Sequence, residues 1–449
     1  MRCKMPSATK SLTSRNQWSI ETNTAGERSL LERDMAFSIQ GNSNAPCVMS
    51  VRRAEGIWLE DSDGRRVADL YGNNAHHIGY RHPVLVAALH RQLDQLTLAP
   101  RGLTSETSIE LGETLARMWG DPNAKVGLTP SGGDANDAAI CVAKAATNRY
   151  KTISFYDSFH GRNAGALSVG GGYNDRRMLG PVMPGTLKVP PPWRHGDEHL
   201  GLDEEDYARH SLNAMRTVFE YERDIAAVVA ETIRNYAHVP PDWFWGEVRA
   251  LCDEYGALMV MDEIATGLGK TGQLFNHERF GFRPDVTTVG KALGGAAMPV
   301  AGMIINPDLD LPQESDIGYV THEKNAMSAR AALTTLQIME TAALADRSKS
   351  LGEIARVRLD EVASRHASVR EVRSAGLMLT LDFRNPSFTR GQAEAFAEAT
   401  FRACVEGGVL PVFPHAGSIT FSMPLVISEE DLSDSIEVID KSLAVAETH

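Results

Sequence analysis

Short apolar runs alternate with helical patterns between about residues 105 and 305, and no other feature constrains the fold as tightly. The runs are Lys125–Leu128, Thr152–Phe155, Ala226–Ala230, Leu258–Met261, Val286–Val289 and Gly302–Ile305. Most are preceded or followed by a helix-length segment with apolar residues at helical spacing. That order predicts an α/β architecture with a mainly parallel sheet covered by helices on both faces. Ligands of such sheets sit at the carboxyl ends of the strands. Ahead of this region, Gly56–Asp61 and Arg66–Tyr71 alternate in polarity across a turn at Asp63-Gly64, a hairpin pattern. Behind it, a long helix around Leu333–Ile338 leads to a smaller α+β unit from about Val369 to Ile439. The expected divisions are a disordered tail over 1–24, an N-terminal segment over 25–95, a large unit over 96–335 and a small C-terminal unit over 336–449, with the N-terminal segment joining the small unit.

Three elements near predicted strand ends carry chemistry. The run Ala257–Met261 closes on Asp262-Glu263, and Val289-Gly290-Lys291-Ala292-Leu293-Gly294-Gly295 places a lysine in a glycine-rich turn. A lysine amine and a carboxylate in this order suit pyridoxal 5'-phosphate. The amine bonds to its aldehyde, and the carboxylate keeps its pyridine nitrogen protonated. The third element is Pro130-Ser131-Gly132-Gly133, a turn before an alanine-rich helix expected from Asp134. Glycines at a helix start expose backbone N–H groups to an anion such as a phosphate. Gly269-Lys270-Thr271 lacks the upstream glycine of a nucleotide P-loop, since Ile264 stands there.

Taken in order, these elements resemble the class III aminotransferases among the fold-type I pyridoxal-phosphate enzymes. The resemblance runs from about Val51 to Ile439. Phe159-His160-Gly161-Arg162 is similar to the family's aromatic-His-Gly motif, which implies that Phe159 stacks on the pyridine ring. Glu231-Thr232-Ile233 matches Glu-Pro-aliphatic. Asp262-Glu263-Ile264-Ala265-Thr266-Gly267-Leu268-Gly269-Lys270-Thr271-Gly272 matches Asp-Glu-Val-Gln-Thr-Gly-Phe-Gly-Arg-Thr-Gly. The resemblance implies Lys291 and Asp262 as catalytic residues. It implies a cofactor site made of Ser131, Gly132, Gly133, Phe159, Glu231, Asp262 and Lys291. It also implies that Thr321, in Thr321-His322-Glu323-Lys324-Asn325, reaches the phosphate in a neighbouring subunit, hence a homodimer with shared sites.

Departures from the family bear on the substrate. An arginine four residues before a Pro-Leu pair clamps a substrate carboxylate in most amino-acid-using members. Thr420 stands there, ahead of Pro424-Leu425. Ala265 replaces the glutamine that contacts the ring hydroxyl, and Thr232 replaces the proline. Two reactions stay open on this reading. One is transamination of a primary amine to a keto acid. The other is elimination of ammonia from a small hydroxylated or phosphorylated amine, for example 1-hydroxy-2-aminoethylphosphonate. Candidate substrate contacts are Asn74, Arg101, Arg234 and Thr420, with Arg162, His76 and His77 as further candidates for an anion.

Composition excludes other classes. A net charge of −13 argues against nucleic acid as a partner. No run approaches the roughly 18 apolar residues of a membrane helix. Five scattered cysteines without Cys-x-x-Cys pairs argue against a metal site or disulfide framework and for a cytoplasmic location.

Overall fold

A computed structural model describes residues 14–40, 47–100, 102–177, 180–194, 202–312, 317, 320–385 and 387–448. Among the described residues, fourteen strands form three sheets. The strands β1 (Arg53–Glu55), β2 (Trp58–Glu60) and β3 (Arg66–Leu70) form an antiparallel meander, with the expected hairpin between the last two. The large sheet holds β4 (Lys125–Thr129), β5 (Lys151–Phe155), β6 (Thr186–Val189), β7 (Ile225–Glu231), β8 (Leu258–Asp262), β9 (Val286–Val289) and β10 (Ala301–Ile305), in the order β4-β10-β9-β8-β7-β5-β6. A third sheet holds β11 (Glu371–Ala375), β12 (Met378–Asp382) and β14 (Ser418–Ser422), while β13 (Val409–Pro411) pairs in parallel with β3. Through β13 the C-terminal segment adds a strand to the N-terminal meander.

The central strands of the large sheet, β7 to β9, are buried on both sides, as parallel strands require. Every residue of β7 is buried. Ala227 and Val229 face the helix Gly132–Thr147, where Ala139 and Val142 cover them. Val228 and Ala230 face the helices Glu204–Glu222 and Phe244–Tyr255 through Met215, Phe219 and Trp245. β10 runs antiparallel to both β9 and β4, a direction that residue pattern does not encode. β6, with its half-buried residues, was not among the expected strands.

Two expectations need correction. Ser14–Thr22, placed in a disordered tail, is a helix. Arg15 pairs with Glu398 at 2.5 Å, and the Trp18 ring meets Phe401 edge-on. The helix expected from Asp134 begins two residues earlier, because Ser131 accepts from the Asp134 N–H and caps it.

Candidate active site

The carboxyl ends of β7, β8 and β9 lie side by side. Glu231 is in register with Asp262, and Asp262 with Thr288. Lys291 follows β9 with φ of 45°, a left-handed conformation that side chains other than glycine rarely adopt. Such backbone outliers concentrate at functional sites. Lys291 is an exposed residue. Desolvation of its amine by the protein packed around the strand ends nevertheless lowers its pKa, with Arg234 adding to the effect and Asp262 and Glu231 opposing it.

Asp262 is buried at the end of β8. Its Oδ2 accepts from Asn136 Nδ2 at 2.7 Å and lies 2.9 Å from His160 Nδ1, while Oδ1 accepts from the Ile264 N–H at 3.0 Å. Neither Lys nor Arg pairs with it among the described residues, so the carboxylate keeps capacity for a charged N–H donor. That is what a pyridinium would supply. Asn136 is fully engaged: its Nδ2 also donates to the His160 carbonyl at 2.7 Å, and its Oδ1 accepts from Thr288 Oγ1 at 2.8 Å. Asn136, His160 and Thr288 were missed as site residues. The signal was present in an asparagine inside an alanine-rich helix and in the histidine of a quoted motif.

The phosphate end fits as well. The first amides of the helix Gly132–Thr147 have no intrahelical partner. The Phe159–Arg162 loop packs against that helix start closely enough to require glycine. A Cβ on Gly133 would meet Asn163 Oδ1 at 2.6 Å, and one on Gly161, whose φ is 137°, would meet Gly133 Cα at 2.8 Å. Ser131 Oγ donates to Asp134 Oδ2 at 2.7 Å. Glu231 Oε2 accepts from the Phe159 N–H at 3.2 Å, which ties the aromatic loop to β7. Burial raises the Glu231 pKa against the pull of Arg234.

The substrate candidates divide. Arg234 is buried and donates to Glu231 Oε1 at 3.1 Å and Asp157 Oδ1 at 3.5 Å. Burial opposes its charge, but the two carboxylates outweigh it and hold the pKa above the ordinary value. Asn74 Oδ1 accepts from Ser422 Oγ at 2.5 Å, and its Nδ2 donates to Asn235 at 3.2 Å. Arg101 lies outside the described residues. Arg162 is exposed, paired with Asp175 at 2.8 Å and placed over the Phe159 ring. His76 and His77 are core residues rather than anion contacts. Burial lowers the His76 pKa to about 4 and pushes that of His77 well below the usual range, so both are neutral near pH 7. Thr321 is exposed in the turn ahead of the helix Ala326–Thr341, and its hydroxyl bonds nothing among the described residues.

Thr420 is buried on β14 opposite Thr380 of β12, with their hydroxyl oxygens 2.7 Å apart. Thr380 Oγ1 donates to the Tyr236 carbonyl at 2.9 Å. A threonine has one hydroxyl proton. Thr380 uses its own on Tyr236, so Thr420 donates to Thr380 and has none left for a substrate. Tyr236 itself is strained, with φ of 75°, and its ring stacks on His415 at 4.7 Å and 5°.

The fold and this strand-end constellation define a fold-type I enzyme of the pyridoxal-phosphate kind. The family pattern of the class III aminotransferases matches residues 39–443, and the chain belongs to that family. It is 29% identical over 444 residues to the (R)-1-hydroxy-2-aminoethylphosphonate ammonia-lyase of Vibrio splendidus, covering 96% of this chain and 93% of the relative. It is 31% identical over 432 residues to the alanine/serine racemase of Pyrococcus horikoshii, covering 93% and 90%. Among solved structures, an (S)-enantioselective omega-transaminase of Thermomicrobium roseum superposes with a TM-score of 0.85 at 25% identity, over 95% of this chain and 99% of that one.

Proposed function

We propose that the site binds pyridoxal 5'-phosphate through Lys291 and releases ammonia from a small amine with a hydroxyl on the adjacent carbon and a phosphonate beyond it. The observation that carries this reading is Thr420. At the position of the family's carboxylate clamp the chain has neither a charge nor a free hydroxyl proton. The similarity to an ammonia-lyase acting on such a compound supports it.

When bound, the cofactor supplies an electron-withdrawing ring that stabilises charge on the carbon bearing nitrogen. The chain's own groups do the rest. Asn136, His160 and the Ile264 amide fix the Asp262 carboxylate, which would pair with the pyridine nitrogen. Gly132 and Gly133 would offer amides to the phosphate, Ser131 caps that helix, and Phe159 would cover the ring. Lys291, whose pKa desolvation lowers, would remove the proton from the carbon bearing nitrogen. For 1-hydroxy-2-aminoethylphosphonate the overall change is to phosphonoacetaldehyde and ammonia. Those products contain every atom of the substrate, so no keto acid is consumed. Arg234, whose Nε lacks an acceptor, is the charged residue among the described ones offered to the phosphonate, with Asn74 beside it and Arg101 as a second candidate. Thr321 completes the phosphate site of a second copy in a homodimer, and the cysteine pattern supports a cytoplasmic location.

Transamination is the second reading, supported by the transaminase structure that superposes on the chain. It uses the same Lys291 and Asp262. The deciding experiment incubates the purified protein with a panel of amines and hydroxylated aminophosphonates without a keto acid. Ammonia release is the expected result. Turnover that begins only when pyruvate is added would overturn elimination in favour of transamination.

A further inference from the structure

The segment after β7 turns back on itself, and Arg234 and His238 exchange backbone hydrogen bonds of 3.0 and 3.3 Å across the turn. Tyr236 sits at the tip with φ of 75°, and Ala237 follows with φ of 56°. Positive φ on a bulky residue is a genuine outlier, and it persists only where neighbouring contacts hold it. Here they do. Thr380 Oγ1 donates to the Tyr236 carbonyl at 2.9 Å, and Thr420, at the position of the family's carboxylate clamp, bonds Thr380 in turn. The Tyr236 ring stacks on that of His415 at 4.7 Å and 5°. The guanidinium carbon of Arg234 lies over the same ring, 5.5 Å from its centroid.

The phenol of Tyr236 is placed among the groups of the strand-end site. It is half-buried. Desolvation raises its pKa, with Arg234 opposing the shift and Asp157, Glu231 and Asp175 adding to it. Asp175 is the carboxylate that pairs with Arg162 over the Phe159 ring, on the side of the site where the cofactor would lie. The phenol therefore keeps its proton and serves as a donor. Its hydroxyl bonds nothing among the described residues. The other side chains at the substrate end are already engaged. Arg234 gives its Nη atoms to Glu231 and Asp157, Asn74 Nδ2 donates to Asn235, and Thr420 spends its proton on Thr380.

We propose that Tyr236 is a specificity-determining residue of the strand-end site, its phenol donating to an oxygen of the substrate's phosphonate group. A phosphonate presents three oxygens, more than Arg234 can meet while it answers two carboxylates. A hydrogen bond from a neutral donor to such an oxyanion is charge-assisted and roughly twice as strong as one between neutral groups. Held by its backbone strain, by His415 and by Arg234, the ring offers that donor in one place. The role rests on the reading of the site as one for a phosphonate-bearing amine, and it is the same for elimination and for transamination.

The test mixes the holoenzyme rapidly with 2-aminoethylphosphonate, which lacks the hydroxyl that elimination removes, and with propylamine, which lacks the phosphonate. The concentration dependence of the change in cofactor absorbance gives each Kd, without a keto acid and without turnover. The unaltered enzyme should bind the phosphonate more tightly than propylamine. Tyr236→Phe should bind the phosphonate at least about tenfold more weakly, the scale of one lost hydrogen bond to a charged group. Its Kd for propylamine, its Tm and its resting absorbance should be unchanged, since the oxygen removed bonds nothing among the described residues. An unaltered enzyme that does not prefer the phosphonate removes the phosphonate reading of the site, and the role of Tyr236 with it. A clear preference that Tyr236→Phe retains overturns the role of Tyr236 alone. Equal weakening for both probes also overturns it, because the hydroxyl would then be acting on something other than the phosphonate.

Discussion

Thr380 and Thr420 face each other across the antiparallel pair of β12 and β14, and the only hydroxyl proton of Thr420 is committed to Thr380. A hydrogen bond to a charged group contributes about 1.5–3 kcal/mol, and Thr420 offers a carboxylate none. We therefore expect 4-aminobutyrate and ornithine to be poor amino donors. Their kcat/KM should fall at least about tenfold, or roughly 1.4 kcal/mol, below that of the best phosphorus-bearing amine. Steady-state rates across the panel check this. Equal or better turnover of the amino acids would show that another residue supplies the clamp.

Lys291 projects from a left-handed turn beside Asp262 and Glu231. The purified protein should be yellow, borohydride should abolish the visible band, and peptide mass spectrometry should find the reduced adduct on Lys291. Lys291→Ala should abolish turnover while the protein still binds cofactor through the phosphate cradle. An adduct on any other lysine sinks the assignment.

How much of this was legible in the sequence differs by residue. Strand ends at Glu231 and Asp262 were readable because β7 and β8 are continuous apolar runs that stop at a carboxylate. β6 was not, because its half-buried residues do not form such a run. The antiparallel course of β10 was hidden because apolar pattern has no direction. Ser131, Gly132 and Gly133 announced a helix start, but Asn136 and His160 gain their partner only when the helix Gly132–Thr147 crosses the strand ends. Arg234 read as an available cation, and only the folded chain brings Asp157 to it, 77 residues away in sequence. The state of the Thr420 hydroxyl is likewise a property of strand register rather than of residue type.

Asp262 has two fixed donors on Oδ2 and one on Oδ1. Asp262→Asn keeps the shape and removes the charge, so on the proposed assignment the pyridine nitrogen would no longer be held protonated. The rate should drop by several orders of magnitude with cofactor still bound, as single-turnover kinetics and absorbance will show. A variant within about tenfold of the unaltered enzyme, roughly 1.4 kcal/mol in barrier, assigns Asp262 another role.

Thr321 presents an exposed hydroxyl without a partner among the described residues. If it completes a second copy's phosphate site, the active species is a two-fold dimer, the commonest oligomer. Light scattering at assay concentration should give twice the chain mass of 48.9 kDa. Thr321→Ala should weaken cofactor retention on dialysis. A fully active monomer contradicts the shared site.

Lys270 is fully buried, and its Nζ donates to the Met423 carbonyl at 2.5 Å. Burial lowers its pKa from 10.5 to about 7, with Asp69 opposing. His76 and His77 stand nearby and are already neutral at pH 7. A lysine with a lowered folded pKa binds fewer protons folded than unfolded. Its burial therefore costs most at and below pH 7, and the cost fades as pH rises toward 10.5. The size of the shift implies a few kcal/mol at most, since the partial pairing with Asp69 is lost with it. Lys270→Met should therefore raise Tm relative to the unaltered protein at pH 7, and the gain should shrink steadily as the comparison moves to pH 10. Calorimetric scans of both proteins across that range measure the difference directly, and other alkaline ionisations cancel between them. A gain that is constant or grows with pH would mean that Lys270 is charged in the folded protein and stabilised by its surroundings.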